Sequence, residues 1–427
     1  MAASGTPLLE VDGLQTSFYT EEGQVKAVDE VTYTIGRGER FGVVGESGAG
    51  KSVTSLSLMR LIDSPGRIEG GSIRFNSEVA TAKLAREFPE GVATESRDGY
   101  IHVEEVRDDA GSVGTDPGAA VRERPGDVAT EFHDGTLHVE AGHVDVLAAP
   151  SEAMRELRGG EIAMIFQDPH TALNPVYTVG EQIAEAIREH MDLDDEAVRE
   201  RAIEMLEQVG IPDPAERYSD YPHQFSGGMQ QRAVIAIALS CDPELIIADE
   251  PTTALDVTIE AQILELLEEL SEEFGVAIQL ITHDLGVVAE LCERVMVMYA
   301  GRAVEKATVE ELYYEPKHPY TVGLMGSIPR VGDQREKLDT IPGTMPDLVQ
   351  LPPGCNFHPR CPYAEEVCTK RDPELYDTAD GTIADESDPS VHGAACLEYV
   401  GELTEGLDFE VVVRDEATAS ADGGESP

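Results

Sequence analysis

Residues Arg40 to Val53 read RFGVVGESGAGKSV. The apolar run Arg40 to Val44 has the length of a buried strand, and Gly45-Glu46-Ser47-Gly48-Ala49-Gly50-Lys51-Ser52 after it fits the phosphate-loop pattern G-x-x-x-x-G-K-[ST]. Glycines let successive backbone N–H groups curl around phosphate oxygens at a helix N-terminus, here predicted to open at Ser52, with Val53 in its first turn. Lys51 is placed to reach the terminal phosphates and Ser52 to ligate Mg²⁺. Strand before and helix after separate this loop from an ordinary glycine turn, so an α/β nucleotide-binding fold is expected.

Outward from the loop, Leu8 to Val11 and Ala27 to Ile35 read as strands, and a second region of the same character runs from Glu161 to about Ser327. Its apolar runs Ile162 to Phe166, Leu245 to Ala248 and Ala277 to Ile281 predict strands. Apolar residues at three- and four-residue spacing predict helices over Val179 to His190, Glu196 to Val209 and Thr258 to Phe274. Leu245-Ile-Ile-Ala-Asp249-Glu250 ends in two carboxylates at a strand end, where doubly wound sheets hold ligands. Asp249 is expected to hold Mg²⁺ through water, and Glu250 to orient and deprotonate an attacking water.

The chain has 427 residues and a net charge of −52. An excess this large makes the whole surface acidic and excludes nucleic acid, whose binders need clustered cations, as a bulk partner. Such self-repulsion is tolerated where molar salt shortens the Debye length to about 3 Å, which predicts a halophilic protein. A disordered acidic chain is excluded by a hydrophobic fraction of 41% in periodic runs. No run reaches the roughly 18 to 20 apolar residues of a membrane helix, and no basic-then-apolar leader opens the chain, so a cytoplasmic location is expected.

Arg86 to Glu104 recurs at Arg122 to Glu140 with 12 of 19 positions identical, a tandem duplication. Each copy carries an Asp-Gly turn (Asp98-Gly99, Asp134-Gly135) before an alternating strand, which predicts a small β insert. His102 and His138 occupy equivalent positions and read as solvated strand residues before they read as a metal pair. The expected organisation is a nucleotide-binding domain over 1–330, with the insert at about 77–150 and a helical subdomain at about 171–240, then a Cys-rich extension over 331–400 and an acidic, partly disordered tail over 401–427.

Ile165-Phe-Gln167, Phe225-Ser226-Gly227-Gly228-Met229-Gln-Gln-Arg232, Ala254-Leu255-Asp256 and Ile281-Thr282-His283 occur in one order with the loop and the acid pair. Over about residues 8 to 327 this resembles the ATP-binding cassette ATPases: a P-loop NTPase with an antiparallel β subdomain and a helical subdomain. The resemblance implies that Ser226, Gly227 and Gly228 serve the ATP of an opposite cassette. It also implies that Gln167 contacts Mg²⁺ or water and couples to a membrane partner, that His283 touches the γ-phosphate, and that Asp256 links the two cassettes. Phe18 or Tyr19 is the expected adenine-stacking aromatic. Phe225 and Met229 replace the commoner Leu and Gln of the signature, but neither removes the serine or a phosphate-facing N–H. Soluble cassette proteins of translation or DNA maintenance carry two cassettes or a long coiled coil, which are not seen here, and a regulator without turnover would be expected to lose Glu250 or His283.

Tyr221-Pro-His-Gln224, Leu173-Asn-Pro175, His318-Pro-Tyr-Thr321 and Gly354-Cys-Asn-Phe-His-Pro-Arg-Cys-Pro-Tyr363 narrow the resemblance to ATPase subunits of oligopeptide and dipeptide importers. That implies ATP hydrolysis coupled to peptide import, with nickel or another small solute as the alternative cargo. It further implies a second, related cassette, two transmembrane permease subunits, an extracellular solute-binding protein, and a peripheral position on the cytoplasmic face of the membrane. Charge and resemblance together predict the halophilic archaeal type. Cys355, Cys361, Cys368 and Cys396 are spaced C-x5-C-x6-C-x27-C. Spacing alone leaves an iron–sulfur cluster, zinc and metal-free packing open, whereas the resemblance points to a [4Fe–4S] cluster.

Overall fold

The computed structural model describes residues 6–93, 99–108, 113–114, 137–253, 255–326, 341–386 and 388–409. The chain opens with a hairpin of β1 (Leu9–Thr20) and β2 (Gly23–Ile35), then β3 (Arg40–Val44) and α1 (Lys51–Leu58). β1 and β2 run past the expected Leu8 to Val11 and Ala27 to Ile35. Register shifts between Val11 and Leu14 and between Leu14 and Thr16 break the apolar alternation that would have marked β1 as one long strand.

β4 (Gly66–Phe75) and α2 (Glu78–Glu87), capped by the Ser77 side chain, lead into β5 (Ile101–Asp108), β6 (Val113–Gly114) and β7 (Leu137–Asp145). Among the described residues these form an antiparallel sheet of order β2-β1-β4-β7-β5-β6, so the insert widens the sheet begun by the hairpin. The strands of the two repeat copies pair with each other, but Asp98, Asp134 and Gly135 of the expected turns lie outside the described residues. Register sets His102 opposite His143 and His138 opposite Arg107, so the two repeat histidines are not paired across the strands. The His102 ring stacks on His143 with centroids 4.4 Å apart.

After α3 (Ser151–Leu157) comes β8 (Ile162–Ile165), then the helical subdomain: α4 (Pro169–Ala172), α5 (Val179–His190), α6 (Asp195–Gln208), α7 (Pro214–Arg217) and α8 (Gly227–Leu239). Thr178 and Asp194 cap α5 and α6 by accepting from Glu181 and Ala197 N–H. Then follow β9 (Leu245–Asp249), α9 (Val257–Phe274), β10 (Ala277–Thr282), α10 (Leu285–Leu291), β11 (Arg294–Tyr299), β12 (Arg302–Thr308), α11 (Val309–Tyr314), α12 (Pro319–Gly326), β13 (Tyr376–Asp377) and β14 (Gly393–Ala394). The second sheet has the order β13-β14-β12-β11-β3-β10-β9-β8.

Its central strands β9 and β10 are buried along their whole length, as parallel strands covered on both faces must be. Alternation divides them between two cores. Val44, Ile165, Ala248 and Leu280 face the helices, and Val43, Ile162, Ile247 and Ile281 face the antiparallel sheet and α1. Across the second core Tyr33 Oη donates to Gln279 (3.0 Å), and Gln279 Nε2 donates to Ser55 Oγ on α1 (2.9 Å). The Cys-rich extension is sewn to the same sheet: β14 pairs with β12. The fully buried Glu305 of β12 accepts from the N–H groups of Lys317 and His318 at 2.7 and 2.8 Å. His392 Nε2 lies 2.8 Å from the same carboxylate.

Candidate functional site

Strand register brings the motifs together. β10 pairs with β3 so that Thr282 is opposite Val44, and with β9 so that Ile281 is opposite Asp249. β8 sets Ile165 opposite Ala248. Gly45, His283, Glu250 and Gln167 therefore leave four neighbouring parallel strands at one carboxyl edge, the position at which open α/β sheets hold ligands.

Gly45 and Gly50 have φ of +155° and +104°. A Cβ at Gly45 would run into the Met298 carbonyl oxygen, and one at Gly50 into that of Ala27, so the loop passes too close to backbone for any side chain. Ser47 and Gly48 at the loop tip are exposed, whereas Ala49 and Gly50 are buried. α1 starts at Lys51 with neither a side-chain cap nor an acidic residue in its first turn, which leaves its N–H groups for an anion. Lys51 is buried and its Nζ donates to the carbonyls of Gly45 (2.8 Å) and Glu46 (3.1 Å). Burial holds its pKa below the usual lysine value, opposed by Glu250, Asp249 and Glu46.

Ser52 Oγ donates to Asp249 Oδ1 at 3.0 Å, which makes an all-oxygen pair beside the loop of the kind that suits a hard cation. Burial pushes the Asp249 carboxyl upward, against the lowering effect of that bond. Glu250 has φ +46°, a sparsely populated conformation for a non-glycine residue. Its carboxylate accepts from Gln167 Nε2 (2.7 Å) and Thr253 Oγ1 (2.8 Å), and His283 Nδ1 lies 3.2 Å away. Burial acts to raise the Glu250 pKa, but the bonds from Thr253 and His283 outweigh it and hold the carboxyl below its ordinary range. A base kept ionised beside a phosphate loop can take a proton from water. Thr253 was not anticipated, since a threonine three residues after a glutamate carries no signal until the turn bends its hydroxyl back.

Other expected residues stand apart from this set. Ser226 caps α8, its Oγ accepting from Met229 N–H at 3.4 Å, and Ser226 and Gly227 are exposed. Asp256 caps α9 by accepting from the N–H groups of Thr258 and Ile259, both at 3.1 Å. Ala254 lies outside the described residues. Phe18 is half-buried and packs on Gly66, whereas Tyr19 is exposed with the Arg67 guanidinium 5.7 Å from its ring centroid.

The four extension cysteines line one pocket with His318, Phe357 and Leu397. All are free thiols, and burial pushes Cys355 and Cys396 up to about 12 and Cys361 up to about 11. Among the described residues no three His, Cys, Asp or Glu side chains gather closely enough to hold a metal ion. The extension also touches the phosphate loop, where Arg360 Nη1 and Nη2 donate to the two Glu46 carboxylate oxygens at 2.9 and 3.0 Å. Sequence reasoning read Arg360 and Tyr320 only as part of extension motifs.

Residues 130–253 match the ABC transporter family, and residues 304–368 match the oligopeptide/dipeptide transporter C-terminal region family. A peptide import ATP-binding protein of Brucella abortus is 42% identical over 402 residues, 93% of this chain and 98% of that protein. The dipeptide transport ATP-binding protein DppD of Haemophilus influenzae is 42% identical over 369 residues, 86% of this chain and 92% of that protein. A solved dimeric ATP-binding cassette holding ADP and phosphate superposes with a TM-score of 0.49 at 21% identity, over 70% of this chain and 98% of that one, a likeness too loose to build on.

Proposed function

This chain belongs to the ATP-binding cassette subunits of peptide importers, and from that premise we propose how its residues share the work. It is the ATP-hydrolysing subunit that energises uptake of dipeptides or oligopeptides.

ATP phosphates lie on the N–H groups of Gly45 to Val53, and Lys51 leaves its two carbonyls for the terminal phosphates. Ser52, Asp249 and Gln167 would hold Mg²⁺, which would supply positive charge to offset that of the phosphates. Glu250 takes a proton from the water whose oxygen bonds to the γ-phosphorus while the bond to the ADP oxygen breaks, and His283 steadies the γ-phosphate. Tyr19, whose ring is exposed, is the better placed of the two aromatics to stack on adenine. The exposed Ser226 and Gly227, with the half-buried Gly228, serve the ATP of a second, related cassette, with Asp256 at the junction.

The likeness to peptide and dipeptide import ATP-binding proteins supports two separate permease subunits as partners and, through them, an extracellular solute-binding protein. The chain then sits peripherally on the cytoplasmic face. Four thiols around one pocket offer the soft sulfur ligands that a [4Fe–4S] cluster takes, and the cluster is the reading kept here over zinc. Cys355, Cys361, Cys368 and Cys396 would hold the cluster, which would supply cross-links to a segment with few apolar runs. The charge of −52 supports a halophilic protein, whereas the relatives above are bacterial and lend the archaeal type no support.

One observation carries the reading: Glu250, held ionised by its donors, leaves the same sheet edge as the phosphate loop. Purified protein, assembled with its partners, is expected to hydrolyse MgATP, and Lys51→Ala is expected to lose ATP binding. Full ATP affinity in folded Lys51→Ala would overturn it.

A further inference from the structure

Glu46 is the second residue of the phosphate loop, and three of its groups are held from different sides. Its carboxylate takes both arms of the Arg360 fork at 2.9 and 3.0 Å. Its N–H donates to Tyr320 Oη at 2.9 Å, and its carbonyl accepts from Ala49 N–H and Lys51 Nζ, both at 3.1 Å. Arg360 is itself fixed. Its Nε donates to the Pro342 carbonyl at 2.8 Å, its guanidinium lies 5.7 Å from the Tyr299 ring centroid, and its side chain is 6% exposed. Tyr299, Tyr320 and Phe357 pack their rings together with centroids 4.7 to 5.4 Å apart, which joins the end of β11, α12 and the cysteine loop under Glu46. The strap before that loop continues the contact, since Leu348 O accepts from Lys26 N–H on β2 at 3.3 Å.

A carboxylate inside a phosphate loop is an electrostatic liability, because the incoming ligand is a polyanion. A bidentate arginine both cancels that charge and fixes the peptide that carries it. We propose that Arg360 is a positioning residue for ATP: by neutralising and anchoring Glu46 it presets the phosphate loop and makes the Cys-rich extension part of the nucleotide site. The proposal rests on the reading of Gly45 to Ser52 as the ATP-phosphate site.

The test is ATP affinity of the full-length chain, measured with a non-hydrolysable ATP analogue and Mg²⁺, alongside kcat at saturating MgATP in the assembled importer. Arg360→Ala is expected to raise Kd roughly 5- to 30-fold, the loss of a charge-assisted pair, with kcat changed by less than about twofold. Adding Glu46→Gln removes the uncancelled charge, so the double variant is expected to bind more tightly than Arg360→Ala alone. A contact serving stability only would not be rescued in this way. Arg360→Lys keeps the charge without the fork and is expected to lose roughly 2- to 5-fold, which carries the test should Arg360→Ala fail to fold. Unchanged Kd in Arg360→Ala or Arg360→Lys, or a double variant no better than Arg360→Ala, would overturn the assignment. Lys51→Ala separates the two levels: its loss of affinity with normal binding in Arg360→Ala sinks only the role of Arg360, whereas normal binding in Lys51→Ala sinks the phosphate-loop reading beneath it.

Discussion

Thr253→Val removes the 2.8 Å hydroxyl bond to Glu250 Oε2 with almost no change of volume. A hydrogen bond to a charged group contributes about 1.5 to 3 kcal/mol, and a pKa unit is about 1.4 kcal/mol, so complete loss would raise the Glu250 pKa by about one to two units. Gln167 at 2.7 Å and His283 at 3.2 Å remain, which places the expected shift near one unit. The direction is upward, because the lost bond favours the ionised form and helps to hold this carboxyl below its ordinary range. Ionised Glu250 therefore contributes stability that is complete above the unfolded pKa and fades as pH falls through the lower folded value. The assay is phosphate release by the assembled importer at saturating MgATP from about pH 3 to 8, in molar KCl. The acid limb of kcat in Thr253→Val should lie about one unit above that of the parent, with rates near pH 8 within about threefold. Coincident acid limbs, or a limb displaced to lower pH, would refute Glu250 as the base that Thr253 helps keep ionised.

The net charge of −52 predicts a melting temperature that climbs as KCl rises toward molar levels, and equal or higher stability in dilute buffer would refute the high-salt reading. Deleting Arg86 to Glu140 removes β5, β6 and the start of β7 but leaves the β4–β7 pairs Arg74–Asp145 and Phe75–Val144. ATP affinity should therefore persist, and its loss in a folded deletion variant would show the insert to be part of the site. Anaerobically purified protein should be brown with about four irons per chain, and Cys361→Ser should lose the colour. Colourless parent protein with stoichiometric zinc would select the other metal.

The chemistry of the site was legible wherever it is written in consecutive residues. Gly45 to Ser52, Asp249-Glu250 and Gln167 follow strands short and apolar enough to recognise, and the parallel register that brings them together follows from the α/β pattern. Helix Val179–His190 emerged with the expected bounds because its caps and its apolar face agree. What escaped depends on long-range packing. Arg360 and Glu46 are 314 residues apart, and no local pattern pairs them. Thr253 matters only because Glu250 adopts a positive φ that turns the following residues back on its carboxylate. The continuation of β1 to Thr20 was hidden by its register shifts, and the antiparallel register of β5 and β7 separates two histidines that the duplication makes equivalent.

The most direct test of the central claim is ATP binding and turnover by Glu250→Gln in the assembled importer. The substitution keeps an oxygen able to accept from Thr253 Oγ1 and removes the negative charge and, with it, the basicity. ATP should bind with parental affinity while kcat falls by about 10² to 10⁴, the loss expected when a general base is removed. Hydrolysis retained at the parental rate in Glu250→Gln would contradict the account.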